Sequence, residues 1–281
     1  MAVNIAFTVA KFTAGILGHS HALTADAVES SADILSSIIV WRGIIIASEP
    51  ADPEHPYGHG KAEPLAAAFV AIMLLLAAIG IIVRSAEGLF GKAPGKPAAF
   101  TLIVLVIVIL IKELLFRLVS REAGLLHNIA LASDAWHHRS DAITSLAAGV
   151  GIAATLFGGP LFAHADDAAA VVAGGIIAWN GWRLLRPALN ELMDAAPAVS
   201  LICDIQNAAG TVPGVNAVEK CNVRKMGFQY FVDMHVEVNP LITVQAGHQI
   251  AHQVKDTVRE AVPAVCDVLV HVEPDRKIHT N

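Results

Sequence analysis

The chain predicts a membrane all-α bundle of six transmembrane helices followed by a small α/β domain (order αββαβ, ferredoxin-like). Three observations carry that prediction. Of 281 residues, 55% are hydrophobic and 16% charged, with mean hydropathy +0.58, whereas a soluble domain averages about a quarter charged. Six segments reach the length, about 20 apolar residues, that crosses a bilayer as a helix. Finally, the apolar blocks stop near Pro197, and the rest has the composition of an ordinary soluble domain. The expected division is 1–197 for the membrane part and 198–281 for the soluble one.

The six segments fall at 3–22, 26–48, 64–90, 100–119, 128–158 and 163–187. The first is short and interrupted by Asn4 and Lys11, and it lacks the charged lead-in of a secretory leader. The fifth has room to tilt or to extend beyond the hydrocarbon. An even number of spans puts both ends on one side. Lys61, Arg117, Arg121, Arg183 and Arg186 share that side, and Arg84, Lys92 and Lys96 oppose them, so the positive-inside rule makes it cytosolic. Loops 49–63 and 91–99 carry the Pro and Gly of turns. Beyond Pro197 the pattern predicts helix 199–209, strands 216–224 and 229–238, helix 243–261 and strand 265–272. Alternation in Tyr230–Val238 marks a half-buried strand, and the order implies a small sheet with helices on one face.

Ionisable residues at bilayer depth are costly and persist only when something pairs with them. Two apolar segments carry such residues at a spacing of four: Glu29 with Asp33, and His137 with Asp141. That spacing stacks each pair on one helix face. Two helices offering two ligands each can close a tetrahedral site around a divalent metal. Ligands must be deprotonated to bind, so metal entry expels protons and proton entry expels metal. Asp134 and His138 point off that face and read as helix or water contacts.

Two further clusters have ligand chemistry. Asp52, His55 and His59 lie in loop 49–63, and His235, His271 with Glu273, and His248 lie in the last domain. His19, His21, His127, His164 and His279 read as interfacial or solvated. His248–His252 has HxxxH spacing, but Gln249 stands where a zinc protease needs its Glu, so an enzyme is not expected. A net charge of −6 argues against nucleic acid. Cys203, Cys221 and Cys266 form no CxxC pair and read as reduced thiols.

Gly18–Asp26, the Glu29/Asp33 pair, PADPEHPYGHGKAE, DAWHHRSDA and the closing LVHVEP together resemble the cation diffusion facilitator family over nearly the whole chain. The resemblance implies a homodimer in the inner (plasma) membrane with a cytosolic metal-sensing domain. It would export a divalent metal, Zn²⁺ first and Fe²⁺ second, with Co²⁺, Cd²⁺ or Mn²⁺ possible cargoes, in exchange for protons. Its transport site would be Glu29, Asp33, His137 and Asp141, with Glu29 where relatives carry Asp or His. A second site maps to Asp52, His55 and His59, and a third to His235, His248, His271 and Glu273, with Glu219 replacing a family histidine and Cys221 on the same strand face. Lys61 and Asp194 occupy the positions of a dimer-locking charge pair. The alternative is a non-transporting sensor or assembly partner of the same family.

Overall fold

A computed structural model describes residues 2–90, 96–126 and 129–275, with the backbone alone at 2, 3, 122–126, 129–138 and 140. Six helices come first: α1 Ala2–Leu17, α2 His21–Ala47, α3 Ala62–Phe90, α4 Ala99–Leu126, α5 Ile129–Phe157 and α6 Ala165–Leu192. They are followed by α7 Val199–Gly210, β1 Ala217–Met226, β2 Gln229–Val238, α8 Val244–Ala261 and β3 Val265–Pro274. By length and composition, α2, α3, Ala99–Arg121 of α4, and α6 with its leading turn are long and apolar enough to cross a membrane. The apolar stretches Asn4–Leu17 of α1 and Asp141–Phe157 of α5 are shorter, counted over described residues.

The first boundary differs from expectation, and the reason is local. His19 takes a left-handed φ of 52°, which ends α1 five residues early. Ser20 then caps α2, its Oγ accepting from the Leu23 amide at 3.1 Å. Ser20 Oγ in turn donates to Asp166 at 2.6 Å.

By its contacts the chain divides into two units. One holds the chain up to Ile39 together with Phe69–Leu185; the other holds Val40–Ala68 together with the chain from Arg186 onward. In the first unit the buried residues are mostly small: Ala14, Ala22, Ala25, Ala148 and Ala170, packed with Leu23, Leu105 and Ile152. Large apolar side chains such as Leu76, Leu110, Val150 and Trp179 face outward. That inversion suits a lipid solvent, where close backbone approach rather than apolar burial holds helices together.

In the second unit the sheet order is β1-β2-β3, β1 antiparallel and β3 parallel to β2. Val232, Met234, Val236 and Val238 alternate inward on β2 and meet Ile205 of α7 and Val254 and Val258 of α8. Gly227, at φ 61°, opens the two-residue turn between β1 and β2, a position that favours glycine in such hairpins. The loop between α2 and α3 lies against this turn. A Cβ on Gly60 would stand 2.6 Å from the Met226 carbonyl carbon, and one on Gly227 would stand 3.1 Å from the Gly60 Cα.

Candidate metal centres

Glu29 and Asp33 lie one turn apart on α2, and Asp141 lies on α5. His137 is on α5, one turn before Asp141, with its side chain outside the described ones. Among the described side chains the three carboxylates do not form a group closing within 4.8 Å. Asp141 is turned instead to Lys112 of α4, with Oδ2 2.6 Å from Nζ.

A second ion pair sits alongside. Lys11, read from the sequence as an interruption, is fully buried and stands 2.7 Å from Asp26 Oδ2. It also donates to Ser30 at 3.2 Å and to Ser145 at 3.0 Å, and Ser145 donates to Asp26 at 2.8 Å. α1, α2 and α5 are thus joined through one ammonium. A cavity of about 430 Å³ lined by Asp26, Glu29, Thr144, Gly151, Phe162 and Ile176 adjoins this pair and runs to the turn between α5 and α6. His21 also has a structural partner, its Nδ1 lying 2.5 Å from Asp167, where the sequence suggested only an interfacial residue.

The loop cluster is assembled. Asp52 Oδ1 accepts from the backbone amides of Glu54 at 2.9 Å and His55 at 2.6 Å, a turn in which the Asp side chain imitates backbone. Those amides, His55 foremost, hold its carboxyl below the usual range. His55 Nδ1 is 3.2 Å from Oδ1, His59 Nε2 is 3.5 Å from Oδ2, and the two rings are 4.3 Å apart. One ligand atom from each of the three lies within 4.8 Å of the others, and O/N donors of this kind suit a first-row dication. The buried Nδ1 of His59 has no hydrogen-bond partner among the described residues.

In the last domain Glu219, His235 and Glu273 converge to the same limit. His235 Nδ1 is 2.7 Å from Glu273 Oε1, and His271 Nε2 is 3.5 Å from it. His235 and His271 face each other across β2 and β3, rings 4.9 Å apart. This is the sheet face away from α7 and α8, because 232, 234, 236 and 238 take the other. A hydrogen bond with Glu219, then one with His235, holds the Glu273 carboxyl below the usual range.

Two expectations are corrected here. His248 does not join the cluster: it is exposed on α8, which packs on the opposite side of the sheet, with its ring against His252 at 4.5 Å. Cys221 does not share a face with Glu219. The register slips between Val218 and Lys220, and a bulge of this kind re-aims side chains. Glu219 is exposed on the cluster face, while Cys221 packs on the core, where burial pushes its thiol up to about 11. Lys61 does meet Asp194, at 2.6 Å, and the pair forms within one chain. Lys61 also donates to the Glu191 carbonyl at 2.5 Å, and Lys225 of β1 reaches the Glu191 carboxylate at 2.8 Å. His127 and His279 lie outside the described residues.

Similar proteins place these geometries in context. Residues 1–193 match the cation efflux transmembrane domain and residues 198–275 the cytoplasmic domain of cation efflux proteins. The manganese efflux system protein MneP of Bacillus subtilis is 28% identical, over 96% of this chain and 92% of its own. Metal tolerance protein 2 of Oryza sativa subsp. japonica is 30% identical, over 100% of this chain and 78% of its own. The magnetosome protein MamB of Magnetospira sp. is 29% identical, over 98% of this chain and 92% of its own. A solved structure titled MamM-CTD 215-293 is 29% identical over 27% of this chain and 96% of its own, with a TM-score of 0.27. Apolar helices bearing buried charge, a cytoplasmic αββαβ domain and a match along nearly the whole length agree: the chain belongs to the cation efflux family of multi-pass membrane transporters, the cation diffusion facilitators.

Proposed function

We propose that this chain works as a homodimer exporting a first-row divalent metal ion from the cytosol in exchange for protons, by alternating access at Glu29, Asp33, His137 and Asp141. The observation that carries the reading is the placement of Glu29 and Asp33 one turn apart on α2, and of His137 and Asp141 one turn apart on α5, inside apolar helices, where charge is retained for function. The cargo binds the deprotonated groups while they face the cytosol. On the other side, protons taken up by Asp33, Asp141 and His137 release it. The cavity beside Glu29 supports an outward path. The cytosolic domain follows α6, so the turn before α6 lies on the far side, and Phe162 of that turn lines the cavity.

Three carboxylates and one imidazole make a hard donor set. The family resemblance by itself ranks Zn²⁺ first and Fe²⁺ second. The donor set, together with a relative named for manganese efflux, moves Mn²⁺ and Fe²⁺ ahead of Zn²⁺. The loop and sheet clusters act as cytosolic sensors, biasing the transporter by binding metal more tightly in one of its states. Proteoliposomes loaded with a metal-quenched dye and given a pH step test the reading. Asp33→Ala should cut flux to the protein-free background while the dimer elutes unchanged; flux at the wild-type rate refutes the assigned site. A second reading, a non-transporting sensor, is favoured by the loop and sheet clusters being closed while, among the described side chains, the membrane carboxylates are not. It predicts metal binding without flux in the wild type.

A further inference from the structure

We propose that Lys112 is a resident counter-cation of the transport site, holding the Asp141 carboxylate until the cargo arrives and competing with the cargo for it. The proposal rests on Asp141 being a cargo ligand. Lys112 lies on α4, outside the α2 and α5 pairs, and its Nζ is 2.6 Å from Asp141 Oδ2, with side-chain exposures of 4% and 17%. In so dry a setting an unpaired carboxylate is strongly disfavoured, and the adjacent ammonium gives Asp141 a partner that holds it in place.

The same position makes the two cations rivals. A dication bound to a carboxylate oxygen sits about 2 Å from it, which puts it within a few ångströms of an ammonium on the same carboxylate. Charges so close, with little water between them, repel strongly. Cargo binding therefore requires Lys112 to swing away, and its return helps expel the cargo.

The neighbouring lysine shows what a purely structural ammonium looks like here. Lys11 is held by Asp26, Ser30 and Ser145 together and is wholly buried. Lys112 has Asp141 as its one acceptor among the described residues. A single contact on a flexible four-carbon stem can break and re-form; a three-way one is a fixture. The geometry thus assigns the two ammonium groups different tasks.

The test measures Mn²⁺ binding by calorimetry and Mn²⁺ flux in proteoliposomes, on the full-length chain. A background carrying Asp52→Ala and His235→Ala lets the membrane site be read by itself. Lys112→Met should tighten binding about tenfold or more, equivalent to about 1.4 kcal/mol, while slowing flux because release loses its competitor. Lys112→Gln, which keeps a polar group beside Asp141, should do the same. Lys112→Arg, which keeps the charge, should stay within about threefold of the background in affinity, a tenfold change being about 1.4 kcal/mol. Unchanged or weaker binding in Lys112→Met and Lys112→Gln overturns the proposal, as does equal tightening in Lys112→Arg. Asp141→Asn separates the two claims. If it binds Mn²⁺ like the background, the transport-site assignment fails. If it loses binding while the Lys112 variants change nothing, only the role of Lys112 fails.

Discussion

The two units of this chain solve the problem of an interior in opposite ways. Inside the membrane unit sit alanines and two lysine–carboxylate pairs, with the large apolar side chains turned outward. Inside the cytosolic sheet sit valines, isoleucine and methionine, with the charged groups turned outward. Apolar burial drives the second, since water surrounds it. It cannot drive the first, because lipid tails are as apolar as leucine. There, cohesion comes from close approach, as at Gly151, whose missing Cβ leaves room for Ala169, and from ion pairs that have no water to retreat to.

That contrast can be broken most sharply at Lys11. Lys11→Met leaves Asp26 buried without its ammonium, and the cost should be about 3–5 kcal/mol. Removing both charges, with Asp26→Leu added, should recover most of it. Thermal unfolding in detergent measures both; a double variant no better than the single one would mean that the stranded Asp26 charge is not the source of the cost. In the sheet the corresponding loss comes from an apolar residue. Met234 is 1% exposed, and Met234→Ala should cost about 2–5 kcal/mol, seen as faster amide exchange across β2 and its neighbours. Equal exchange in β2 with and without the substitution would remove Met234 from the core's account.

The smallest effect should come from the staple between α8 and β3. Lys255 Nζ stands 2.5 Å from Asp267, on a half-exposed surface, and this hydrogen bond chiefly holds the Asp267 carboxyl below the usual range. A depressed carboxylate contributes stability above its unfolded pKa, about 3.9, and loses it as pH falls through the folded value. Lys255→Ala should cost under about 1 kcal/mol at neutral pH, solvent screening included, and nothing once Asp267 is protonated in both states. A penalty that persists unchanged into that acidic range would mean lost packing, not charge.

Much of the fold was legible because lipid and turn chemistry write plainly. The helices match the apolar blocks to within a few residues at most ends, and the strand and helix order of the last domain follows from its alternation and its glycines. The interactions that organise the membrane unit were not legible. Lys11 could be seen as a charge in an apolar stretch, but its partner Ser145 is 134 residues away, and no local pattern points there. The pairing of Lys112 with Asp141, 29 residues on, is hidden from local pattern in the same way. The third cluster was readable on β2 and β3, where spacing by two predicts a shared face. It failed on β1, since a bulge at Glu219 shifts the count by one. It failed again at His248, because a sequence does not say on which side of a sheet a helix will lie.

The contact between Gly60 and Gly227 has a mechanical meaning. Two bare stretches of main chain touch there, with no rotamer to readjust and no methylene to compress. The hairpin that carries Lys225 and Phe231 is thereby seated against the loop that bears His55 and His59 with only main chain between them. The smallest residue in the protein code makes this joint stiff, and any larger one would act as a wedge.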